Sequence, residues 1–281
     1  MVVKPTLADE FAGSIAGRDH EVDLFGAAMI IARLGRDGLD PHHYAARLDH
    51  FAEAAAEHAE GSNRPEALAA AIDYQLFSVV GFTGNSDDYG SPENSYLDRV
   101  IDRRIGIPIT LSLVYIEVAQ RIGLRCEGVG YPGHFIVRCG EPEDAFYVDP
   151  FHQGARLDRQ ELLAGLPARD TAPASPESYL LPVTRRQILQ RMLNNLRMAY
   201  RHEGDIHRWR LAVDLQLRIE PWNVPLLGER GFLHYRLGNP EAALDDLETF
   251  VHADQPGTTR VQATRLLEQL RTRLRTNEET P

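Results

Sequence analysis

A helix that is apolar on nearly every side is the feature that most constrains this fold. It is bounded by Gly106-Ile107-Pro108 and by Gly123, because proline suits the first turn of a helix and glycine suits its end. Its apolar residues make two stripes on different sides: Ile107, Leu111, Val114, Tyr115, Val118 and Ile122 in one, and Ile109, Leu113 and Ile116 in the other. A helix with this pattern is predicted to be buried among other elements.

Helices are also predicted before this segment, over residues 20–80. Apolar residues at helical spacing stop at Gly35, and Pro41 and Pro65 open two further helices. The stretch 81–94 is rich in Gly, Asn, Asp and Ser and is predicted to be a long surface loop. Ordered loops of this length often carry function.

The segment 134–150 predicts a β-hairpin, preceded by one further short strand, so that three antiparallel strands follow the buried helix. If its polar turn is centred between Glu141 and Pro142, His134 lies directly opposite Asp149, with Cβ atoms about 5 Å apart. A carboxylate at that distance fixes the tautomer and orientation of an imidazole. Such a pair supplies two members of a Cys-His-Asp triad.

The third member of a triad is expected at the N-terminus of a buried helix, where the helix dipole and free amides stabilise a thiolate and an oxyanion. The residues at that position are Pro108, Ile109 and Thr110. Cys139 follows His134 by five residues on the same strand, so its side chain is predicted to point to the opposite face. Cys126 begins the preceding strand, where nothing in the sequence would lower its pKa.

Two hydroxyls lie near the correct end of the helix, those of Thr110 and Ser112. A His-Asp pair can activate a hydroxyl, but helix capping or a bond to the local backbone is the favoured interpretation. His134 and Asp149 also have an alternative, as a satisfied, partly buried histidine and a strand-ending Asp-Pro turn. Both alternatives stay open at this point.

No metal or cofactor site is predicted. His43, His50 and His58 are seven and eight residues apart on a polar helix side, and no carboxylate spacing completes a ligand set around them. The chain has no Walker and no dinucleotide-binding glycine motif.

The C-terminal third predicts a helical repeat array after a proline-rich boundary at residues 163–182. Gly204 and Gly238 are about one tetratricopeptide period apart, as are Pro221 and Pro256 to within a residue. The later repeat fits the pattern better than the earlier one. Each repeat would be a helical hairpin that buries its face against the next.

Composition excludes several classes of partner. The 281 residues carry a formal charge of -11, so neither a nucleic-acid partner nor an anionic membrane is expected. Two cysteines give no disulfide framework and fit a reducing compartment, the cytoplasm. No leader is expected, and the longest apolar run, 106–118, is too short to span a bilayer and is interrupted by Glu117.

Several motifs together resemble the bacterial SirB-type transglutaminase-like family, a core followed by tetratricopeptide repeats. The motifs are Gly81-Phe82-Thr83-Gly84-Asn85, Asn94-Ser95-Tyr96-Leu97, Arg104 to Ser112, Gly130 to Phe135 and Val148-Asp149-Pro150-Phe151. The resemblance implies an α+β fold of the papain-like cysteine-protease superfamily with a small antiparallel sheet, then an all-α array. His134 and Asp149 match the triad histidine and aspartate, and the cysteine is replaced within residues 106–110.

The same resemblance implies a cleft built from the matched motifs. Its expected lining residues are Asn94, Tyr96, Pro108, Ser112, Tyr131 and Phe151, with Thr110 as a relict or catalytic position beside His134 and Asp149.

The predicted organisation has five parts: an N-terminal extension (1–19), helices and core (20–165), a Pro-rich linker (166–182), repeats (183–275) and a tail (276–281). The expected function is that of a non-catalytic interaction or regulatory module with a protein or peptide partner. The alternative is a hydrolase or acyltransferase that uses Thr110 or Ser112.

Overall fold

The computed structural model describes residues 5–166, 175–253 and 258–278. The chain divides into two compact units, Ser14–Met192 and Met1–Gly13 with Leu193–Pro281. This division falls inside a long helix and not in the proline-rich segment, and the described residues up to Gly13 group with the C-terminal helices. Residues 167–174 of the predicted linker and 279–281 of the predicted tail lie outside the described residues, as does Pro256 of the repeat pattern.

The first unit is predominantly helical before its sheet. Its helices are α2 (Leu24–Ala32), α3 (Pro41–His58), α4 (Pro65–Asp73), α5 (Leu97–Arg103), α6 (Pro108–Arg121) and α7 (Arg159–Ala164), whereas α1 (Leu7–Ser14) belongs up to Gly13 to the other unit. Proline occupies the first turn of α3, α4 and α6, as predicted. A π-helical segment, Tyr74–Val80, continues α4 up to Gly81, which has a φ of 85°.

Helix α6 lies at the centre of this unit. Every residue from Pro108 to Ala119 is buried, which confirms the prediction from its two apolar stripes. Helices α3, α4 and α5 and the four-stranded sheet contact it.

Two sheets complete the unit and bear out the α+β class. Strands β1 (Thr83–Gly84) and β2 (Ile105–Gly106) form a parallel pair. The other sheet has four antiparallel strands, which lie side by side in the order of the chain: β3 (Cys126–Val129), β4 (Ile136–Cys139), β5 (Phe146–Asp149) and β6 (Ala155–Leu157). The three antiparallel strands were predicted, whereas β6 was not, because three partly exposed residues give no periodic signal.

The hairpin register differs from the predicted one. Strand β4 pairs Val137 with Val148 and Cys139 with Phe146, and His134 precedes the strand. The direct pairing of His134 with Asp149 is therefore wrong by two residues, because the turn is centred one residue further along the chain than the polar pattern suggested. A shift of two keeps every side chain on its predicted face, so the two residues still share a side of the sheet.

The second unit is an array of helices: α8 (Arg185–Glu203), whose first part belongs to the first unit, α9 (Ile206–Ile219), α10 (Val224–Arg236), α11 (Pro240–His252) and α12 (Thr258–Glu278). Gly204 and Gly238 adopt φ near +75°, the left-handed conformation that lets the chain reverse between paired helices. Buried Leu247 and Phe250 of α11 share a core with Leu267 of α12. Among the described helices, none is long and apolar enough to cross a membrane.

Candidate functional site

His134 and Asp149 are in contact at the end of the antiparallel sheet. The Nε2 atom of His134 lies 2.8 Å from Oδ2 of Asp149. The Asp149 side chain is 5% exposed and that of His134 is 23% exposed, so solvent reaches the pair from the imidazole side. The chain places His134 after a turn at Gly133, where its N–H donates to the Tyr131 carbonyl at 2.9 Å.

Backbone N–H groups hold one carboxylate oxygen of Asp149 in place. Its Oδ1 atom accepts hydrogen bonds from the backbone N–H groups of Phe151 at 3.0 Å and His152 at 3.4 Å. Proline at position 150 starts a short 3-10 helix, Pro150–His152, which Asp149 caps in this way. The backbone turn therefore fixes the carboxylate and leaves Oδ2 facing the imidazoles.

A second histidine, His152, completes the site and was not predicted from the sequence. Its Nδ1 atom lies 2.7 Å from the same Oδ2 atom of Asp149, and its side chain is 64% exposed. The signal was the spacing Asp149-Pro150-Phe151-His152, because one tight turn after a capping aspartate returns the third residue to its side chain.

The electrostatics of Asp149 follow from these contacts. Burial alone raises its pKa, but the hydrogen bonds and charges of His134 and His152 outweigh that effect, and the pKa lies below the ordinary value of an aspartate. The carboxylate is thus ionised at neutral pH and accepts from both rings.

Phe151 connects this group to the loop at residues 81–94. Its ring contacts His134 edge-on at 5.9 Å between centroids and Tyr89 at 6.5 Å. Gly84 in β1 lies against the same ring, since a Cβ atom there would be only 2.6 Å from Cε2 of Phe151. The loop at residues 81–94, which was predicted to be functional, therefore packs through Phe151 beside His134.

Arg191 on α8 contacts the backbone of His134. Its guanidinium donates to the backbone carbonyl of His134 at 3.0 Å and lies over the ring of Phe135, 5.2 Å from the centroid. Burial lowers the pKa of Arg191.

Comparison with known sequences identifies the core. The profile of the transglutaminase-like superfamily matches residues 42–194, more than half of the chain. The chain belongs to the transglutaminase-like superfamily. A tetratricopeptide-repeat profile matches residues 196–271, which confirms the predicted array after the transglutaminase-like core.

Relatives of similar length confirm the resemblance to SirB-type transglutaminase-like proteins. A UPF0162 protein of Xylella fastidiosa is 34% identical over 254 residues, which are 88% of this chain and 89% of the relative. A UPF0162 protein of Pseudomonas aeruginosa is 29% identical over 80% of this chain and 82% of its own length. Human F-box only protein 21 is 33% identical over 179 residues, 60% of this chain but 28% of that protein. No solved structure matches the chain.

At the N-terminus of α6, the position where active transglutaminase-like enzymes are expected to carry the nucleophile, Pro108 and Ile109 are buried and Thr110 has no exposed surface. The Thr110 hydroxyl donates to the carbonyl of Asn94 at 2.8 Å and accepts from the N–H of Ile107 at 3.2 Å. It therefore acts as a helix cap, the interpretation favoured from the sequence.

Ser112 is also wholly buried, and its Oγ atom has no hydrogen-bond partner in the structure. Neither hydroxyl has a hydrogen bond to His134 within the described residues.

Three other predicted cleft residues serve the transglutaminase-like scaffold. The buried Asn94 side chain donates to the carbonyl of Asp88 and accepts from Asn85, which ties the loop together. Tyr96 is 2% exposed. The Tyr131 hydroxyl donates to the carbonyl of Leu162 at 2.8 Å.

The two thiols lie away from the nucleophile position. Cys126 and Cys139 are direct partners across β3 and β4, both are buried and free, and their Sγ atoms are in hydrogen-bond contact at 2.8 Å. Burial raises the pKa of the Cys126 thiol, so it stays protonated at neutral pH.

The histidines of α3 do not gather into a metal site. His43, His50 and His58 each contact a neighbouring aromatic ring instead. Within residues 5–166, 175–253 and 258–278, the group with metal-ligand spacing is His134, Asp149 and His152.

Proposed function

We propose that this chain is a non-catalytic transglutaminase-like protein of the bacterial cytoplasm, and that its cleft and tetratricopeptide repeats bind a protein or peptide partner. The observation that carries the proposal is the commitment of Thr110 at the start of α6. Its hydroxyl is fully buried and hydrogen-bonded to Asn94 and Ile107, where an enzyme of this class needs an accessible nucleophile.

The alternative, a hydrolase or acyltransferase using Thr110 or Ser112, is less well supported. Attack by Thr110 would break its bond to the Asn94 carbonyl and leave the buried N–H of Ile107 without its partner. An unsatisfied buried donor or acceptor costs about 1–3 kcal/mol. Ser112 has no exposed surface from which to reach a substrate.

The repeat region supports the interaction role. Tetratricopeptide arrays offer extended concave surfaces to other proteins, and a profile of that repeat matches residues 196–271. Trp222, between α9 and α10, is 75% exposed, and large exposed aromatic residues are enriched at protein interfaces. We propose Trp222 as one anchor for the partner.

The proposed compartment and partner class follow from charge and thiol chemistry. Two free, buried cysteines suit a reducing cytoplasm. A net charge of -11 disfavours nucleic acid and anionic membranes as partners.

An activity assay tests the catalytic part. The purified full chain, incubated with a glutamine-containing peptide and a primary amine, is expected to show no transamidation, deamidation or peptide hydrolysis above the buffer control. Turnover that disappears in a folded His134→Ala variant would overturn the proposal.

Partner capture with the full chain and with Trp222→Ala tests the interaction part. We expect the variant to lose the partner recovered by the wild type, with Val261→Ala as a control at another exposed apolar position. Point variants are preferable to truncation near Pro182, because α8 contributes buried Ile188 and Leu189 to the first unit. Equal capture of the partner by the wild type and both variants would contradict the proposal that the partner binds at Trp222.

A further inference from the structure

We infer that His134, Asp149 and His152 bind one divalent transition-metal ion of the zinc class. The site goes beyond the proposed function, since it adds an inorganic ligand to the cleft and does not depend on the identity of a partner. It rests on the geometry of three side chains that share one small volume.

Three ligand atoms converge at the site. Both facing imidazole nitrogens, Nε2 of His134 and Nδ1 of His152, lie within 2.8 Å of Asp149 Oδ2, and all three ligand atoms are within 4.8 Å of one another. Zinc bonds of about 2.0–2.2 Å in a tetrahedron require ligand atoms about 3.4 Å apart. The two nitrogens, up to 4.8 Å apart, must therefore approach each other, and the carboxylate oxygen must move away from both. His152 can make this adjustment because its side chain is 64% exposed.

The surrounding contacts orient the ligands as in a metal site. Backbone N–H groups of Phe151 and His152 hold Oδ1 of Asp149 and leave Oδ2 available. The Arg191 guanidinium fixes the backbone of His134 through its carbonyl. Hydrogen bonds of this kind to metal-binding side chains position the ligands and tune affinity.

A metal ion would replace the ring protons of His134 and His152 that face Asp149. A carboxylate accepts only, so each ring nitrogen facing Oδ2 carries a proton when the site is empty. On binding, a neutral imidazole moves that proton to its other nitrogen, and an imidazolium releases one. Binding of an ion at these ligands is therefore coupled to proton movement on the two rings.

The ligand set also defines the ion and its open positions. Two imidazoles and one carboxylate suit Zn²⁺, Co²⁺ or Fe²⁺ better than Ca²⁺ or Mg²⁺, which prefer oxygen ligands. Three protein ligands leave at least one position open. Since His152 faces solvent, that position is accessible to water or to a carboxylate or imidazole of a partner.

The simpler interpretation is that His152 only donates a hydrogen bond to Asp149. Titration of the full-length chain with Co²⁺ and Zn²⁺, followed by absorption spectroscopy and calorimetry, separates the two interpretations. We expect one equivalent to bind, with visible Co²⁺ bands typical of four or five ligands and without a thiolate charge-transfer band. His152→Ala should weaken binding by more than about 10-fold, as loss of a direct ligand exceeds a typical loss of supporting contacts.

The matched control is His43→Ala, which removes another exposed histidine outside the site and should leave the affinity unchanged. Circular dichroism checks that His152→Ala, a change at an exposed side chain, stays folded. Equal affinity in the wild type and both variants, or no binding at a metal concentration ten times that of the protein, would overturn the metal site. Neither result bears on turnover or partner capture, so failure here is distinct from failure of the proposed function.

Discussion

The two units of this protein use charged side chains in contrasting ways. In the transglutaminase-like unit, the buried carboxylate of Asp149 faces two imidazoles that solvent can reach. In the repeat unit, Arg230 bonds both oxygens of Asp246 at 2.7 Å and also contacts Asp214 at 3.3 Å, so that one arginine joins α9, α10 and α11.

This contrast separates a scaffold from a site. The carboxylates around Arg230 are paired by direct hydrogen bonds with a cation of fixed charge. The imidazoles around Asp149 are reached by solvent, and each ring nitrogen can serve as donor or acceptor. We therefore expect substitutions in the repeat network to change stability, and substitutions in the histidine group to change binding and pH response.

The largest effect on stability is expected for Arg230→Ala. Removal of the arginine leaves the Asp246 carboxylate, 8% exposed, without its bidentate partner. The cost for a buried pair is typically 3–5 kcal/mol, and Arg230 is 27% exposed, so we expect about 2–4 kcal/mol in urea unfolding. Arg271→Ala, which breaks an exposed pair with Glu248, should cost less than about 1 kcal/mol. Equal losses in the two variants would contradict the distinction.

Gly84→Ala should destabilise the first unit by about 1–3 kcal/mol, because the added Cβ would overlap the Phe151 ring. The displaced ring should also disturb His134, which NMR of the imidazole protons can detect. Gly90→Ala is the control within the same loop, since its Cβ would meet no atom within 4 Å. A neutral result for Gly84→Ala would mean that the loop is not anchored through Phe151.

Asp149→Asn should make the free energy of unfolding less dependent on pH in the acid range. The folded-state pKa of Asp149 lies below its unfolded value, so its stabilising contribution is fully present above the unfolded pKa. That contribution is lost as the pH falls through the folded-state value. Chemical unfolding at several pH values from 6 down to 3 should therefore show a steeper loss in the wild type than in the variant. Parallel curves would show that the histidines do not stabilise the ionised carboxylate.

Trp222→Ala should have the smallest effect on stability. Its side chain is largely exposed, and substitutions at such positions usually change stability by no more than about 0.5 kcal/mol. A thermal shift measurement should give nearly the same midpoint as the wild type while partner capture falls. A large loss of stability would assign the indole to packing instead of recognition.

Much of the core was predictable because its pattern is local. The two stripes of α6 required burial, and the prolines at the first turns of α3, α4 and α6 marked their starts. Glycines one repeat period apart marked the reversals between helices of the array. Strand β6 and the parallel pair β1 and β2 were missed, because two or three residues are too few for a period to show.

The site was predictable only in part. His134 and Asp149 were recognised as a pair from their placement on one hairpin, but their exact register was wrong, since the turn sets it and the polar stretch 140–145 allows more than one centre. His152 was missed because its meeting with Asp149 depends on the 3-10 turn that follows β5.

Residue types and their spacing were enough to predict that a buried helix and a hairpin form the core, that an array of repeats follows, and that no thiol stands where α6 begins. These conclusions depend on residue type and on periodicity along a single element. Only the folded chain shows that the Thr110 hydroxyl bonds to the Asn94 carbonyl, sixteen residues earlier, and that two imidazoles contact one carboxylate oxygen. Such contacts depend on how distant segments are brought together by turns and packing, which a linear pattern does not specify.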